Sequence, residues 1–246
     1  MMGFFSIPLV MQDKITPAWN SNTIRWFILL SVGDAVNMAA FFGAMSKTTV
    51  AVAVLTHYFA PILVALFAPL VEGYRVRFAV SSAFLALVGL TLVLEPWNPA
   101  RISGDVLAGA LLGTLSACAY ACNLFASNRL AKRIGAARTQ GYHFFVSALL
   151  LAPFAFDVSW AEVSAKSLAL VAAGSLIPGT FAGFIFVRSM GAIGSARAAI
   201  LAYIEPLVAV VVGFVAFHET LPPIAFIGGA LIILAGLVVS RSQNAT

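Results

Sequence analysis

The sequence predicts an all-α polytopic membrane protein, an inverted repeat of two five-helix halves with about eight full transmembrane helices and a partial N-terminal one. The first observation is composition: 61% of the 246 residues are hydrophobic, only 9% are charged, and the mean hydropathy is +1.00. A soluble domain carries about a quarter charged residues because its surface faces water. The second observation is that apolar residues form long continuous blocks, and the third is that one segment recurs.

The apolar blocks predict helices, because they are continuous rather than alternating and most reach the roughly 17–25 residues that cross a bilayer. The block at 141–156 is marginal in length. Pro61 and Pro206 are expected to break the helices in which they lie, because proline has no backbone N–H. The predicted spans are 24–46, 48–71, 78–94, 106–128, 141–156, 167–187, 198–217 and 223–240.

Residues 1–11 are apolar but too short to span a membrane, and they lack the basic start of a signal peptide. We interpret them as the last turns of a span that begins upstream of Met1. The second half has two spans before its 167–187 helix, whereas the first half has only this stub before 24–46. A short natural paralogue or a misassigned start codon would explain the difference equally well.

The recurring segment is YFAP at 58–61, which returns as YIEP at 203–206, an offset of 145 residues. The register resumes at an offset of 147, where Glu72 matches Glu219, and both are expected to be structural. In the predicted order of spans, the second copy is displaced from the first by five positions, and this odd number orients the second copy oppositely across the membrane. Inverted repeats are typical of secondary transporters, whose substrate sites lie near the midplane where the halves meet. The halves are expected to be 1–100, which is incomplete, and 101–246.

The net charge of +5 reflects membrane orientation, and nucleic acid is not an expected partner. If the basic segment 129–140 is a cytoplasmic loop, helix alternation leaves only Lys47, Arg101 and Lys166 outside. This bias predicts a multi-pass protein of the cell membrane, inner or plasma, with a cytoplasmic C-terminus. The expected partners are the lipid bilayer and a small-molecule substrate, and the protein is expected to be a monomer or a homodimer. The basic residues predicted inside are Lys14, Arg25, Arg75, Arg77, Arg129, Lys132, Arg133, Arg138, Arg188, Arg197 and Arg241.

Asp34, His57 and Glu205 are ionisable residues inside predicted spans, where charge is costly and function is the default hypothesis. Each lies roughly 10–15 Å from the nearer span end, at about 1.5 Å per residue. Glu205 precedes Pro206, where the helix exposes a carbonyl, and it is suited to bind a substrate amine or to take up a proton. His57 and Asp34 are the further candidates for proton coupling. The structural alternatives are hydrogen bonds between helices and, for Asp34, pairing with Asn37 or a loop arginine.

Aromatic and amide side chains on the same helices are candidates to line a substrate cavity. Tyr58 and Tyr203 are related by the repeat and are expected to face its pseudo-symmetric centre, where each offers a ring and a hydroxyl to an organic substrate. Packing at the repeat interface is the alternative role. The predicted substrate-binding residues are Asp34, Asn37, Phe41, His57, Tyr58, Tyr120, Asn123, Tyr203 and Glu205.

Enzyme signatures are absent from the sequence, which has no HExxH zinc pair, no GxSxG elbow and no phosphate-cradling loop. We therefore expect no catalytic residues, no cofactor and no metal site.

Residues 24–94, repeated at 169–241, resemble the EamA-type branch of the drug/metabolite transporter superfamily. The resemblance is carried by FFGAMSKTTVAVAVLTHYFAPILVAL and, more closely, by FVRSMGAIGSARAAILAYIEPLVAVVVGFVAFHET. Ala60 stands in the first copy where the second has Glu205. The resemblance implies a ten-helix fold with a central cavity, and export of small metabolites such as amino acids by alternating access with proton exchange. The alternatives are an uncoupled channel-like facilitator and a truncated, non-transporting membrane protein.

Overall fold

The computed structural model confirms the all-α fold, since nearly every residue that it describes lies in a helix. The described residues are 1–13, 15–98, 103–155, 163–217, 222–242 and 244–245. Lys14, Arg101 and Glu219, which figured in the predictions above, lie outside them. The helices are α1 (Met2–Phe5), α2 (Ile7–Gln12), α3 (Ser21–Lys47), α4 (Val50–His57), α5 (Ala60–Val71), α6 (Ala79–Leu94), α7 (Val106–Ile134), α8 (Ala136–Leu151), α9 (Ala165–Gly174), α10 (Gly183–Ile193), α11 (Ser195–Leu201), α12 (Ile204–Phe217) and α13 (Pro223–Arg241).

Six helical segments in the described part of the chain are long and apolar enough to cross a membrane, which makes the protein a polytopic membrane protein. Helices α6 and α8 are shorter, with 16 residues each. A π-helix, Ser175–Ala182, joins α9 to α10 without a break in the span. The six segments are Ser21–Lys47, Val50–Val71, Val106–Ile134, Ala165–Ile193, Ser195–Ala216 and Pro223–Arg241.

The prediction of a loop at 129–140 was wrong. Helix α7 continues to Ile134, and α8 begins at Ala136 rather than at the predicted residue 141. Lysine and arginine are good helix formers, and their charge is favourable in the last turn of a helix. Gly135 alone makes the turn, with a φ of +91° that a side chain would disfavour. Helix α8 runs from Ala136 to Leu151, so His143 lies at its middle rather than near its start.

Two spans are interrupted at the recurring segment. Helix α4 ends at His57 before α5 begins at Ala60, and α11 ends at Leu201 before α12 begins at Ile204. Pro61 and Pro206 follow these interruptions closely, and a proline ring conflicts with the carbonyl four residues before it. Each interruption therefore leaves backbone carbonyls that need partners other than the helix itself.

The chain forms two compact units, each of which draws on both predicted halves. The division into halves at residue 100 stays a prediction. Unit 1 comprises Met1–Val36 and Cys122–Gly194. One cluster of its buried core contains Leu30, Ala126, Leu130 and Ile134. Helix α1 packs on α8 through an edge-to-face contact of Phe4 with Phe145, whose ring centroids lie 5.3 Å apart.

Unit 2 comprises Asn37–Ala121 and Ser195–Thr246. Helix α6 packs closely along α13, because a Cβ atom at Gly89 would lie only 2.6 Å from the carbonyl oxygen of Gly228. Two residues, Arg75–Val76, pair antiparallel with Asn244–Ala245 in a short ladder. The core beside α6 includes Tyr203, which is fully buried.

Candidate functional site

The first part of the candidate site, in unit 2, joins the two recurring tyrosines to Glu205. The Tyr58 hydroxyl donates to Oε2 of Glu205 at 3.1 Å, and the Tyr203 hydroxyl donates to the backbone carbonyl of Tyr58 at 2.6 Å. The two rings lie 5.2 Å apart between centroids, at an interplanar angle of 41°. The side chain of Glu205 is exposed on unit 2, so the carboxylate is both held and accessible.

The two tyrosines have different roles despite their equivalent positions in the repeat. In a continuous helix the N–H of Ile62 would donate to the carbonyl oxygen of Tyr58. It donates instead to the carbonyl oxygen of Phe59, so the carbonyl of Tyr58 lacks its helical partner. Tyr203 supplies that missing hydrogen bond from a fully buried side chain. Tyr203 therefore stabilises the interruption between α4 and α5, whereas Tyr58 turns its hydroxyl toward Glu205.

A second part of the site, also in unit 2, is a hydrogen-bonded chain from His57 through Ser116 to Asn37. Nδ1 of His57 lies 2.7 Å from the Ser116 hydroxyl, which donates to Oδ1 of Asn37 at 2.7 Å. The Ser116 hydroxyl donates its only hydrogen to Asn37, so it must accept from His57. Nδ1 of His57 therefore carries the ring hydrogen. Ser116 and Asn37 are buried, so the chain fixes the orientation of the His57 ring.

Aromatic rings surround His57. The ring centroids of Phe41, Tyr58 and Tyr120 lie 4.9, 5.6 and 5.0 Å from that of His57. Seven of the nine predicted substrate-binding residues thus form one connected network in unit 2, reaching from Asn37 to Glu205. Sequence analysis missed Ser116, because a lone serine in an apolar helix has no distinguishing pattern.

Asp34 and Asn123 belong to unit 1. Asp34 is the central residue of α3, and its Oδ2 lies 3.9 Å from Nε2 of His143, at the middle of α8. Nδ1 of His143 lies 2.7 Å from the carbonyl oxygen of Thr139. Asn123 is buried in α7. Sequence analysis missed His143, because the predicted 141–156 span put this residue at a helix end rather than at mid-membrane depth.

Glu72 anchors the start of α11 within unit 2. Its Oε1 accepts from the Ser195 hydroxyl at 2.5 Å, and its Oε2 accepts from the Tyr74 hydroxyl at 2.6 Å. Burial, and then the hydrogen bond to this carboxylate, raise the pKa of Tyr74 above its usual value, so the phenol stays a donor. Among the described residues, no group of three or more His, Cys, Asp or Glu side chains could hold a metal ion.

Comparison with known proteins agrees with this arrangement of long apolar helices. The profile described as the EamA-like transporter family matches residues 107–241. An uncharacterized transporter of Archaeoglobus fulgidus is 30% identical over 240 residues, which are 97% of this chain and 82% of the relative. The uncharacterized transporter YwfM of Bacillus subtilis is 29% identical over 162 residues, covering 65% of this chain and 53% of YwfM.

A solved crystal structure shares the fold at 22% sequence identity, with a TM-score of 0.82 over 97% of this chain and 84% of the other. The family match spans more than half of this chain and includes the Glu205 segment of the site. The chain is a membrane transporter and belongs to the EamA-like transporter family.

Proposed function

We propose that this protein is a secondary transporter that exports small amphipathic metabolites, amino acids first, by proton-coupled alternating access. The observation that carries the proposal is the position of Glu205. It lies eleventh in the 22-residue span Ser195–Ala216, next to the helix interruption, and it accepts a hydrogen bond from Tyr58. An ionisable group at that depth is costly, and substrate or ion binding is its most common use.

The network around Glu205 has the chemistry of a site for an amphipathic amine. The carboxylate supplies an acceptor for an ammonium group, and the hydroxyl of Tyr58 steadies it. The rings of Phe41 and Tyr120 supply an apolar wall around His57. A substrate with one ammonium group and an apolar portion satisfies both parts.

Proton coupling is supported by the Asp34–His143 pair in unit 1. A carbonyl only accepts, so Nδ1 of His143 carries a hydrogen toward Thr139 and Nε2 faces Asp34. The pair thus places a carboxylate opposite an imidazole nitrogen at the centre of two helices, and ionisable pairs at such depth are commonly parts of ion or proton pathways.

Alternating access is supported by the recurring segment and by the matching helix interruptions. Transporters with inverted repeats bind substrate where discontinuous helices expose backbone groups, and one repeat moves against the other around the bound substrate. The interruptions at Tyr58–Phe59 and Ala202–Tyr203 expose such groups, and they coincide at the matching tyrosines of the two copies.

The test is flux of labelled amino acids in proteoliposomes, with and without an imposed pH gradient. Glu205→Gln removes the charge but keeps the shape, and we expect it to lower flux by roughly tenfold or more, the value of one charge-assisted hydrogen bond. Asp34→Asn should keep substrate exchange without a gradient and lose accumulation driven by the gradient.

Asp105→Asn is the matched control. Asp105 lies outside the spans and accepts from the Ala108 N–H, which asparagine also does, so flux should be unchanged. Flux and pH dependence that survive Glu205→Gln and Asp34→Asn would indicate an uncoupled facilitator. A correctly folded protein that moves no probe would indicate a non-transporting membrane protein.

A further inference from the structure

Unit 1 has a line of buried polar side chains along one face of α8. Gln140, His143 and Ser147 follow one another at spacings of three and four residues, which place them on the same face of the helix. The Ser147 hydroxyl donates to the carbonyl oxygen of Ser31 at 3.1 Å, and His143 faces Asp34. Polar groups inside a membrane protein are costly, so a line of them indicates a pathway or a site.

Gln140 differs from the other two residues because its amide has no partner. Within the described part of the chain its side chain makes no hydrogen bond, although the residue is only 9% exposed. Both amide atoms keep accessible surface, whereas the unpartnered Oγ of Ser31 is sealed from solvent. An amide offers an acceptor oxygen and two donor hydrogens. Because an unpaired buried amide is costly, one that solvent can reach is suited to hold water.

The Gln140 amide lies against α10 because Gly183, the first residue of that helix, leaves room for it. A Cβ atom at Gly183 would overlap Nε2 of Gln140. The next residue, Phe184, lines a cavity of about 600 Å³ beside the turn between α7 and α8, which we call the turn cavity. Ala136 and Ala137 line the same cavity, one helical turn before Gln140. The amide therefore lies between the lining of the turn cavity and the middle of α8.

The steps along this face of α8 are short enough for water to bridge them. Gln140 lies three residues from Ala137 on one side and three residues from His143 on the other. Side chains at this spacing have Cβ atoms about 5–6 Å apart. One water molecule with hydrogen bonds of about 2.8 Å on each side spans such a gap.

Few charged groups face the Asp34–His143 pair. Asp34 is the one ionisable side chain within ion-pair distance of His143 among the described residues. Helix α1 and the π-helix carry no charged side chain, and Arg188, the one charged residue of α10, lines the turn cavity. Asp13, after α2, pairs with Arg138 at the start of α8. The other charged residues of α3 and α7 in unit 1 lie towards the ends of those helices and are Arg25, Arg129, Lys132 and Arg133.

We propose that Gln140 orders a water chain through which protons enter the Asp34–His143 pair from the turn cavity. A hydronium ion in the cavity gives its proton to the chain and becomes water, and the last water of the chain passes a proton to the pair. Gln140 donates and accepts hydrogen bonds without being protonated, so it is a positioning residue. The inference rests on the proposed function, because it supplies a route for the proton that the transporter exchanges.

The test is a pH jump applied to the purified full chain in dodecylmaltoside micelles and followed by time-resolved infrared spectroscopy. The signal of the pair is the set of difference bands that Asp34→Asn and His143→Gln remove. Gln140→Met keeps the length of the side chain but cannot donate a hydrogen bond to water. We expect it to slow protonation of the pair by roughly tenfold, the effect of about one lost hydrogen bond, with the final extent unchanged.

A slower route has its own pH signature. Protonation through water is first order in hydronium, so a final pH lower by about one unit should restore the wild-type rate to a variant slowed tenfold. Gln140→Glu keeps the size and the hydrogen bonding, and its protonation should be no slower than that of the wild type. Gln12→Met is the matched control, because Gln12 is an exposed glutamine that lines the turn cavity but belongs to α2, and the rate should be unchanged.

Slow protonation in Gln140→Met, together with an unslowed rate in Gln140→Glu, supports the inference. A wild-type rate in Gln140→Met overturns it and leaves the proposed function standing where gradient-driven flux persists. Slow protonation in both variants indicates a packing role and also overturns the inference. Should Gln140→Met fail to fold, Gly183→Ala displaces the amide from α10 without changing Gln140, and a wild-type rate there overturns the inference.

The infrared readout separates this inference from the proposed function, because it needs no transport. Protonation that depends on Gln140 in a protein that shows no flux supports the inference and overturns the proposed function. Bands that do not respond to the pH jump overturn both the inference and proton coupling, and amino-acid flux by that protein would then indicate an uncoupled facilitator.

Discussion

Replacing Tyr203 by phenylalanine tests whether one buried hydroxyl holds the interruption between α4 and α5 in place. The hydroxyl is 2.6 Å from the carbonyl oxygen of Tyr58, which has no helical partner, and the Tyr203 side chain is fully buried. Phenylalanine keeps the ring contacts with the α6–α13 core, so the substitution removes the hydrogen bond alone.

The expected cost is the value of an unsatisfied buried carbonyl, about 1–3 kcal/mol in proteins generally. Hydrogen bonds between membrane helices average nearer to 0.6 kcal/mol, with a maximum near 1.7, because the unfolded chain also finds partners there. We therefore expect Tyr203→Phe to lower the free energy of unfolding by about 1–2 kcal/mol. At roughly 2–4 °C per kcal/mol for a chain of this size, the melting temperature falls by about 2–8 °C.

The assay is thermal unfolding in one detergent, with Tyr142→Phe as the control. Tyr142 is 37% exposed and stacks on Trp19, and its hydroxyl makes no hydrogen bond to the described part of the chain. Its substitution should change stability by less than about 0.5 kcal/mol. Equal melting temperatures for the two variants would refute the assignment of Tyr203 to the helix interruption.

Three further predictions concern unit 2 and use the same unfolding assay. Ser116→Ala leaves the buried Oδ1 of Asn37 without a donor, and we expect a loss of about 1–3 kcal/mol; an unchanged melting temperature would contradict the hydrogen-bonded chain. Gly89→Ala should cost about 1–3 kcal/mol, because its Cβ meets a carbonyl of α13 at 2.6 Å, whereas Gly174→Ala, which meets nothing within 4 Å, should be neutral or stabilising. Tyr74→Phe should lower the free energy of unfolding by the same amount at pH 6 and at pH 9. The pKa of Tyr74 is raised in the folded protein, so the stabilisation by its protonated phenol is complete below the unfolded pKa, near 10, and is lost only above it. A cost that falls between those two pH values would contradict the raised pKa.

The spans could be predicted from the sequence because long apolar blocks have few alternatives to a membrane helix. The predicted 223–240 span and the observed Pro223–Arg241 helix agree within one residue. The error at 129–140 has a physical cause: a polar segment was taken for a loop, although lysine and arginine extend a helix readily and one glycine makes the whole turn. That error also displaced His143 from the middle of its helix and hid its pairing with Asp34.

The recurring tyrosines show why the site could be predicted only in part. Residue spacing predicted that Tyr58 and Tyr203 lie together, and their ring centroids are 5.2 Å apart. Equivalent positions suggested equivalent roles, yet Tyr203 donates to a backbone carbonyl and Tyr58 donates to Glu205. The difference that matters is that Ala60 stands in the first copy where the second copy has Glu205. Tyr58 has a carboxylate, that of Glu205, to which its hydroxyl donates. The matching position for Tyr203 is Ala60, so the Tyr203 hydroxyl donates instead to the backbone carbonyl of Tyr58. The second copy thus supplies the ionisable side chain, and its tyrosine holds the interruption in the first copy, whose own tyrosine binds that side chain.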